Sequence, residues 1–375
     1  MNTNPSMINF AQPCLDDETI QDVADVLRSN WITSGPKTVA LEQALSASFG
    51  GRPTRMLTSA TAAMEVALEV CKIGPGDEVI TSAQSFFSTM NMIVKVGARP
   101  VFVDCDLVSR SIDLAQVEAA ITPRTRAIMP THFPGALVDM DALLALAKKY
   151  SLRVIEDAAL VQGSYWKDQA IGSFGDIATF SFHPNKNMTT IEGGAIVVNT
   201  EEEARQVDIL RFHGITRLPD DTRDVVTAGG KFNLSDVSAA IGLRQLPQLD
   251  AFLQKRALLV KRYFQEFPQV PGAILPPNEL PRQSWNMFCV LFPFGALKMT
   301  RKEFRDALRQ HDIATGVSYE ALHTTSLGRS LGYTAGQFPN AERIAEETVT
   351  LPLHVNMSLE DVDRVCATVA AVLKI

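Results

Sequence analysis

The stretch DALLALAKKYSLRVIEDAA, residues 141–159, decides the fold, because a helical pattern leads directly into a short apolar run that suits a buried strand. The same succession is found in AMEVALEVCKIGPGDEVITSAQSF, residues 63–86, where a turn at residues 74–77 separates the helix from the strand. The runs RPVFVDCD (99–106) and RAIMPTHF (126–133) suit further buried parallel strands. Repeated βα units of this kind predict the α/β class, a mostly parallel sheet with helices on both faces.

The pattern changes in the last third of the chain. Residues 236–267 form a long helical pattern that is interrupted at Pro247, and after Pro268 shorter pieces follow, such as MFCVLFPF (287–294). A chain of 375 residues commonly divides into a larger and a smaller domain. We therefore predict a large domain over residues 1–245 and a smaller C-terminal α+β domain over residues 246–375.

The charge and hydropathy of the sequence indicate which classes of binding partner to expect. The 35 Lys and Arg against 42 Asp and Glu give a formal charge of -7, so nucleic acid is not an expected partner. No apolar run approaches the roughly 18 residues of a membrane span, and the start, MNTNPSMINF, lacks the pattern of a signal peptide. We expect no membrane partner and a cytoplasmic location. The 5 cysteines are scattered, which predicts free thiols and no metal site.

Candidate binding residues follow the predicted strands, where parallel sheets bind their ligands. Asp157 ends an apolar strand and could hold a cation such as a pyridinium nitrogen, although it could instead cap a following helix. TSATAAMEVAL (58–68) opens a helix with small residues, which suits a phosphate, although ordinary capping by Thr58 or Ser59 explains it as well. Phe86 or Phe87 could stack on a flat ring, or both could belong to the core.

A lysine in the segment SFHPNKNMTTIEGG (181–194) completes this set. Lys186 could form a Schiff base with an aldehyde if burial or a nearby cation lowered its pKa, whereas a surface lysine is the simpler alternative. A phosphate-binding helix start, a ring-stacking side chain, an aspartate and a lysine are the four contacts that pyridoxal phosphate (PLP) requires. Their joint occurrence in one chain favours a PLP site over the separate structural explanations.

Long collinear motifs carry a family resemblance. They are SNWITSGPK (29–37), TSATAAMEVAL (58–68), GDEVITSAQSFFSTMNMIVKVGARPVFVD (76–104), AITPRTRAIMPTHFPG (120–135), VIEDAA (154–159), GSFGDIATFSFHPNKNMTTIEGGAIVVN (172–199) and GGKFNLSDVSAAIGLRQL (229–246). These motifs resemble the DegT/DnrJ/EryC1/StrS family of fold-type I, PLP-dependent sugar aminotransferases. The resemblance covers nearly the whole chain, and the motif sequences are most similar to those of the branch that makes 4-amino-4-deoxyarabinose on a nucleotide sugar.

The resemblance implies a role for each matching residue. Lys186 would hold the cofactor and move the proton, and Asp157 would pair with the pyridine nitrogen. The phosphate would be bound by Ala60, Thr61 and Ser181, and Phe86 would stack on the ring. Asn233 would reach the cofactor phosphate of the neighbouring subunit, which implies a homodimer with shared active sites. His323 lies in a segment similar to a substrate-side segment of the family, although a surface histidine is an equal alternative.

The implied reaction moves an amino group from glutamate, or glutamine, to a keto group of a nucleotide-linked keto-sugar. One departure from the family pattern is Leu160, because the family usually has histidine or glutamine there, in contact with the phenolic oxygen of the ring. Leucine cannot donate that hydrogen bond, and Gln162 need not face the same way. The alternatives are an aminotransferase for a non-sugar ketone and a catalytically altered PLP-binding regulator or dehydratase-like protein. The retained Lys186 favours transamination over dehydration.

Overall fold

A computed structural model describes residues 7–278 and 282–375, so residues 1–6 at the start of MNTNPSMINF lie outside the described part. The helices are α1 (Asp17–Ser29), α2 (Pro36–Ser48), α3 (Ala60–Val70), α4 (Phe87–Lys95), α5 (Leu114–Ala120), α6 (Met140–Tyr150), α7 (Glu201–Leu210), α8 (Asp236–Gln245), α9 (Leu249–Glu266), α10 (Phe294–Leu297), α11 (Arg301–Gln310), α12 (Ser326–Ser330), α13 (Pro339–Glu347) and α14 (Leu359–Leu373).

The strands alternate with the helices in the first part of the chain. They are β1 (Thr54–Leu57), β2 (Glu78–Ser82), β3 (Arg99–Val103), β4 (Thr125–Met129), β5 (Arg153–Asp157), β6 (Tyr165–Trp166), β7 (Gln169–Ala170), β8 (Ile177–Ser181), β9 (Gly194–Val197), β10 (Ile215–Arg217), β11 (Arg223–Val225), β12 (Phe288–Leu291) and β13 (Thr348–Leu351). Two 3-10 turns lie at Leu246–Gln248 and Leu322–Thr324.

Seven strands form one sheet in the order β1-β9-β8-β5-β4-β2-β3. The pairs β2–β3, β2–β4, β4–β5 and β5–β8 are parallel, whereas β9 runs antiparallel to both of its neighbours. The prediction of a mostly parallel sheet in an α/β fold is confirmed.

Apolar residues of the strands alternate between two buried clusters, one on each face of the sheet. In β5, Val154 packs into a cluster with Leu41 of α2 and Leu143 of α6. Its neighbour Ile155 packs into the other cluster, which contains residues of α3, α4 and α7. Because side chains two residues apart share a face, Asp157 faces α3 and α4 while Glu156 faces the opposite way. The register of β5 therefore selects which carboxylate meets the start of α3.

The C-terminal part is organised around an aromatic cluster of its own. The sequence pattern interrupted at Pro247 is confirmed as α8, a 3-10 turn and α9. The rings of Tyr263 in α9 and Phe288 in β12 stack with their centroids 4.6 Å apart. β12 pairs antiparallel with β13, and α9, α11 and α14 contribute to the same buried cluster. The domain division between residues 245 and 246 stays a prediction.

Side chains occupy the backbone groups at both edges of the main sheet. At the β1 edge, Met56 N–H donates to Glu42 Oε1 at 2.9 Å, and Met56 O accepts from Arg211 Nη1 at 2.7 Å. At the β3 edge, the hydroxyl of Tyr333 donates to Pro100 O at 2.9 Å and accepts from Phe102 N–H at 3.4 Å. Both edge strands are therefore bonded by side chains from other segments of the chain, which are α2 and the segment after α7 for β1 and the segment before α13 for β3.

Three further observations bear on the expectations from composition. Cys14, Cys71, Cys105, Cys289 and Cys366 are all free thiols. Within residues 7–278 and 282–375, no group of three or more His, Cys, Asp or Glu side chains is arranged to hold a metal ion. In the same ranges, no helix combines the length and apolar character that crossing a bilayer requires.

Candidate active site

A cavity of about 220 Å³ opens beyond the carboxyl ends of β4, β5 and β8. Its walls come from the start of α3, from the start of α4 and from the turn after β8. The lining residues are Ser59, Ala60, Thr61, Met64, Phe86, Ser88, Thr131, Asp157, Ala159, Leu160, Ser181, His183, Asn185, Lys186, Glu192 and Tyr319. Of the predicted site residues, the structure brings Lys186, Asp157, Ala60, Thr61, Phe86 and Ser181 together here.

Asp157 lies at the inner wall of this cavity and is only 3% exposed. Its Oδ1 accepts from the N–H of Ala159 at 3.2 Å, and its Oδ2 accepts from the hydroxyl of Thr89 at 3.3 Å. Burial raises the pKa of Asp157, although these donors and the nearby Lys186 and His132 act in the opposite direction. A turn follows Asp157, so the helix-capping alternative is wrong.

Lys186 lies in the turn between β8 and β9 with its amine towards the cavity. Burial lowers the pKa of Lys186 from 10.5 to about 8, and the carboxylate of Asp157 partly offsets this effect. Across residues 7–278 and 282–375, its amine forms no hydrogen bond and no ion pair. The Lys186 N–H donates to His183 O at 2.9 Å, which fixes the turn. The simple surface-lysine alternative is therefore wrong.

The start of α3 faces the cavity with free backbone donors. Ser59 is the N-cap and accepts from the N–H of Ala62 at 3.1 Å, so the capping alternative holds as well. The N–H groups of Ala60 and Thr61 have no acceptor within the described residues, as is usual in a first helical turn. A Cβ atom at Gly194 would lie 2.2 Å from Ser59 C and 2.4 Å from Ala60 N. Gly194 therefore lets β9 approach this helix start closely.

Phe86 forms the outer wall and is 47% exposed, which leaves its ring face available. Its ring meets the edge of Tyr319 at a centroid distance of 5.4 Å. Phe87 instead packs against a buried cluster, as the core alternative predicts. Leu160 lines the cavity as an apolar residue, whereas Gln162 is buried elsewhere and its Nε2 donates to Met188 Sδ at 3.1 Å. Gln162 thus does not replace the donor that Leu160 lacks.

Two predicted residues are not among those that line the cavity. Asn233 is half-buried, and its Nδ2 donates to Ser34 Oγ at 2.6 Å. His323 is 0% exposed, its Nε2 is 2.8 Å from Glu342 Oε1, and its ring meets the Phe338 ring edge-on. The surface-histidine alternative for His323 is therefore wrong. The structure also gives His323 no contact with the cavity, because the ring packs beneath the start of α13.

Sequence reasoning missed a buried polar network behind Asp157. The hydroxyl of Ser85 bonds to those of Thr89 at 2.8 Å and Thr131 at 2.7 Å. On the opposite face of the sheet, His132 Nε2 lies 3.1 Å from Glu156 Oε2, and both side chains are buried. His132 Nδ1 accepts from a backbone N–H at 3.3 Å, so Nε2 carries the proton when the ring is neutral. Glu156 precedes Asp157 in sequence, and that adjacency was the only available signal.

Tyr319 was also missed, although its ring lines the cavity beside Phe86. Its backbone carbonyl accepts from Gln84 Nε2 at 3.3 Å, and Leu322 N–H donates to Ala83 O at 2.8 Å. These bonds hold the segment 319–322 against the residues that follow β2. Burial raises the pKa of the Tyr319 hydroxyl, which therefore stays protonated near neutral pH.

The residues present fit PLP. Free N–H groups at a helix start suit a phosphate, and an unpaired amine with a lowered pKa suits an aldehyde. The buried carboxyl of Asp157 has a raised pKa, and a pyridinium nitrogen would supply a cation that stabilises its ionised form. The fold and the site together define a PLP-dependent transferase.

The family follows from comparison with known proteins. The model of the DegT/DnrJ/EryC1/StrS aminotransferase family matches residues 13–370, so the chain belongs to this family. SpsC, a spore coat polysaccharide biosynthesis protein of Bacillus subtilis, is 38% identical over 376 residues, which cover 97% of this chain and 97% of SpsC.

Solved structures agree over nearly the full length. Spr1654 of Streptococcus pneumoniae, described as a sugar aminotransferase, has a TM-score of 0.92 at 33% identity in its PMP form, with 98% of each chain covered. It has also been solved in a PLP form. PseC of Helicobacter pylori, an aminotransferase of pseudoaminic acid biosynthesis, has a TM-score of 0.91 at 29% identity, covering 98% of this chain and 99% of PseC. The chain is a PLP-dependent aminotransferase of fold type I, as predicted.

Proposed function

We propose that this enzyme transfers the amino group of glutamate, or of glutamine, to a keto group of a nucleotide-linked keto-sugar. The observation that carries the proposal is the convergence of Lys186, Asp157 and the start of α3 on one cavity. Two similar proteins come from sugar biosynthesis, SpsC and PseC, and they support a sugar acceptor by analogy. The cytoplasmic location expected from the sequence is part of this proposal.

In the proposed mechanism, Lys186 is the residue that moves protons. An amine with a pKa of about 8 has a substantial neutral fraction near neutral pH, so Nζ can accept a proton from the α-carbon of the amino donor. The resulting ammonium then returns the proton at a second carbon, on the far side of the transferred nitrogen, so that the net change is a 1,3-shift. PLP, when bound, supplies the electron sink that makes the α-proton acidic.

Asp157 is proposed to hold the ring nitrogen and keep it protonated. Without a cation its carboxyl has a raised pKa, and a pyridinium partner within contact would restore the ionised form. The donors from Ala159 and Thr89 fix the orientation of the carboxylate. Phe86 would cover one face of the ring, while Ala60, Thr61 and Ser181 would bind the phosphate.

A homodimer with shared sites is part of the same proposal. Asn233 lies outside the cavity of its own chain, as expected for a residue that serves the partner subunit's cofactor. Large apolar side chains remain exposed on nearby segments, and they are Trp31, Ile32, Ile191, Phe212, Val225 and Val226. Burial of these side chains against a second copy would remove them from water. The role of His323 on the substrate side stays a prediction, and its full burial restricts it to an indirect one.

Leu160 supports a second candidate. An apolar side chain at this wall offers the ring oxygen no donor, and Gln162 points elsewhere. An aminotransferase for a non-sugar ketone, or a catalytically altered regulator or dehydratase-like protein, would be consistent with changed cofactor electronics. The retained Lys186 argues for transamination.

The experiment is the visible spectrum of the PLP-loaded protein before and after glutamate is added, with Lys186→Ala as the control. The proposal predicts a band that glutamate removes and that the variant alters or lacks. Keto-sugar nucleotides and simple ketones are then compared as acceptors that restore the band. A band that neither glutamate nor glutamine changes would contradict transamination, and restoration by simple ketones alone would contradict the sugar acceptor.

A further inference from the structure

The peptide bond that precedes Lys186 is held from both sides. Its N–H, on Lys186, donates to His183 O at 2.9 Å within the same turn. Its carbonyl, on Asn185, accepts from Asn286 Nδ2 at 2.8 Å. The first contact is local, whereas Asn286 belongs to the C-terminal part of the chain, just before β12. A peptide plane that is bonded at both polar groups has little freedom to rotate, so the direction of the following side chain is defined.

Asn286 is itself anchored by an unusual cation. Its carbonyl accepts from Arg256 Nη1 at 3.2 Å, and the same nitrogen donates to Leu353 O at 2.8 Å and lies 3.4 Å from Trp285 O. Arg256 is only 3% exposed and forms no ion pair within the described residues. Burial lowers the pKa of Arg256 to about 10, and no nearby carboxylate offsets this effect.

A buried cation without a counter-charge is costly, so a compensating role is expected. Here three carbonyls from the segments before β12 and after β13 converge on one guanidinium. The arrangement fixes the position of Asn286, whose side chain then reaches across to the Lys186 turn. These two contacts connect α9 to the backbone carbonyl of Asn185, directly before Lys186.

We propose that Asn286 is a positioning residue for Lys186 and that Arg256 fixes Asn286 for this purpose. The inference rests on the proposed role of Lys186 in the reaction. It adds that the C-terminal part of the chain, beyond closing the cavity with Tyr319, sets the placement of the lysine. Asn286 is not among the residues that line the cavity.

The test compares Asn286→Ala with a matched control, Asn340→Ala. Asn340 Nδ2 donates to Cys105 O at 2.9 Å, so it is also an asparagine side chain that joins the C-terminal part to the main sheet region. Hydrogen–deuterium exchange at the Lys186 amide is measured in the cofactor-free protein. Loss of one hydrogen bond of ordinary strength should accelerate this exchange about tenfold in Asn286→Ala. Asn340→Ala should leave it unchanged, and Arg256→Met should accelerate it in the same direction.

Unchanged exchange in Asn286→Ala, or equal acceleration in Asn340→Ala, would overturn the positioning role. Unchanged exchange in Arg256→Met would overturn the part assigned to Arg256. In the PLP-loaded enzyme, we expect Asn286→Ala to lower kcat about tenfold with KM for the amino donor within about twofold, because Asn286 acts only through Lys186. A Lys186→Ala protein that still turns over would refute the proposed function, while the exchange result would stand by itself.

Discussion

The amine of Lys186 should titrate near pH 8 in the cofactor-free protein. Burial lowers its pKa from 10.5 to about 8, so at pH 7 about 9% of the amine is neutral. An ordinary lysine would be about 0.03% neutral at that pH, which makes the difference roughly 300-fold. Only the neutral amine reacts with acylating reagents, so the labelling rate at this residue reports the pKa directly.

The assay is acylation with a limiting reagent at pH 6 to 10.5, with the modified residue identified by mass spectrometry. Lys302 is a suitable internal reference, because its hydrogen bond to Asp306 raises its pKa. The Lys186 labelling curve should have its midpoint near pH 8, whereas labelling of Lys302 should still be rising at the upper end of the range.

Asp157→Asn sharpens the test, because the carboxylate of Asp157 favours the protonated amine. Its removal should move the midpoint of the Lys186 labelling curve to lower pH, and the size of this shift should grow with the ionised fraction of Asp157 in the native chain. A midpoint at pH 10 or above in the native chain would refute the burial argument. A midpoint that rises in Asp157→Asn would refute the electrostatic contact between the two residues.

Three further outcomes are expected. Gly194→Ala should weaken PLP binding by at least about tenfold in a titration followed by absorbance, because its Cβ would lie 2.2 Å from Ser59 C. Gly295→Ala should leave PLP binding unchanged, because no atom of the described residues lies within 4 Å of the added Cβ. Equal effects of the two substitutions would contradict the close-approach argument. His132→Phe should lower the free energy of unfolding by about 3–5 kcal/mol in denaturant melts, because it leaves the buried Glu156 carboxylate without its partner. Glu156→Gln should lower the free energy of unfolding by less. A larger loss in Glu156→Gln than in His132→Phe would contradict this interpretation. Lys72 has φ of 57° and is exposed, so Lys72→Asn should raise the free energy of unfolding by about 1 kcal/mol. An unchanged or lower value in denaturant melts would show that the backbone there is not strained.

Strand-like runs and helical spacing were sufficient to predict the main sheet. β2 to β5 appear where the short apolar runs of the sequence lie, since strands buried on both faces need continuous apolar residues. The site residues of β5, β8 and α3 were also accessible to sequence reasoning, because the carboxyl ends of parallel strands meet at one edge. Their chemical roles stay predictions, as does the domain boundary.

Residues that reach the site through irregular segments could not be predicted. Tyr319 is placed by hydrogen bonds between the segment 319–322 and the residues after β2, and no periodic pattern encodes such contacts. The same holds for Asn286, whose contact with Asn185 depends on how α9 and β12 pack. The alternative that placed His323 on the surface failed because a short polar segment gave no sign that α13 would cover it.

The side chains that occupy the edges of the main sheet have a consequence for how copies of this chain can associate. An uncovered edge strand can recruit a strand from another molecule and extend into fibrous aggregates. At β1, Glu42 and Arg211 form an ion pair with each other while they bond to Met56, and at β3 the phenol of Tyr333 bonds to Pro100 O and to Phe102 N–H. Continuous β-stacking between molecules is thereby blocked at both ends, so ordered self-association has to use helices and loops, and concentrated protein should resist fibril formation.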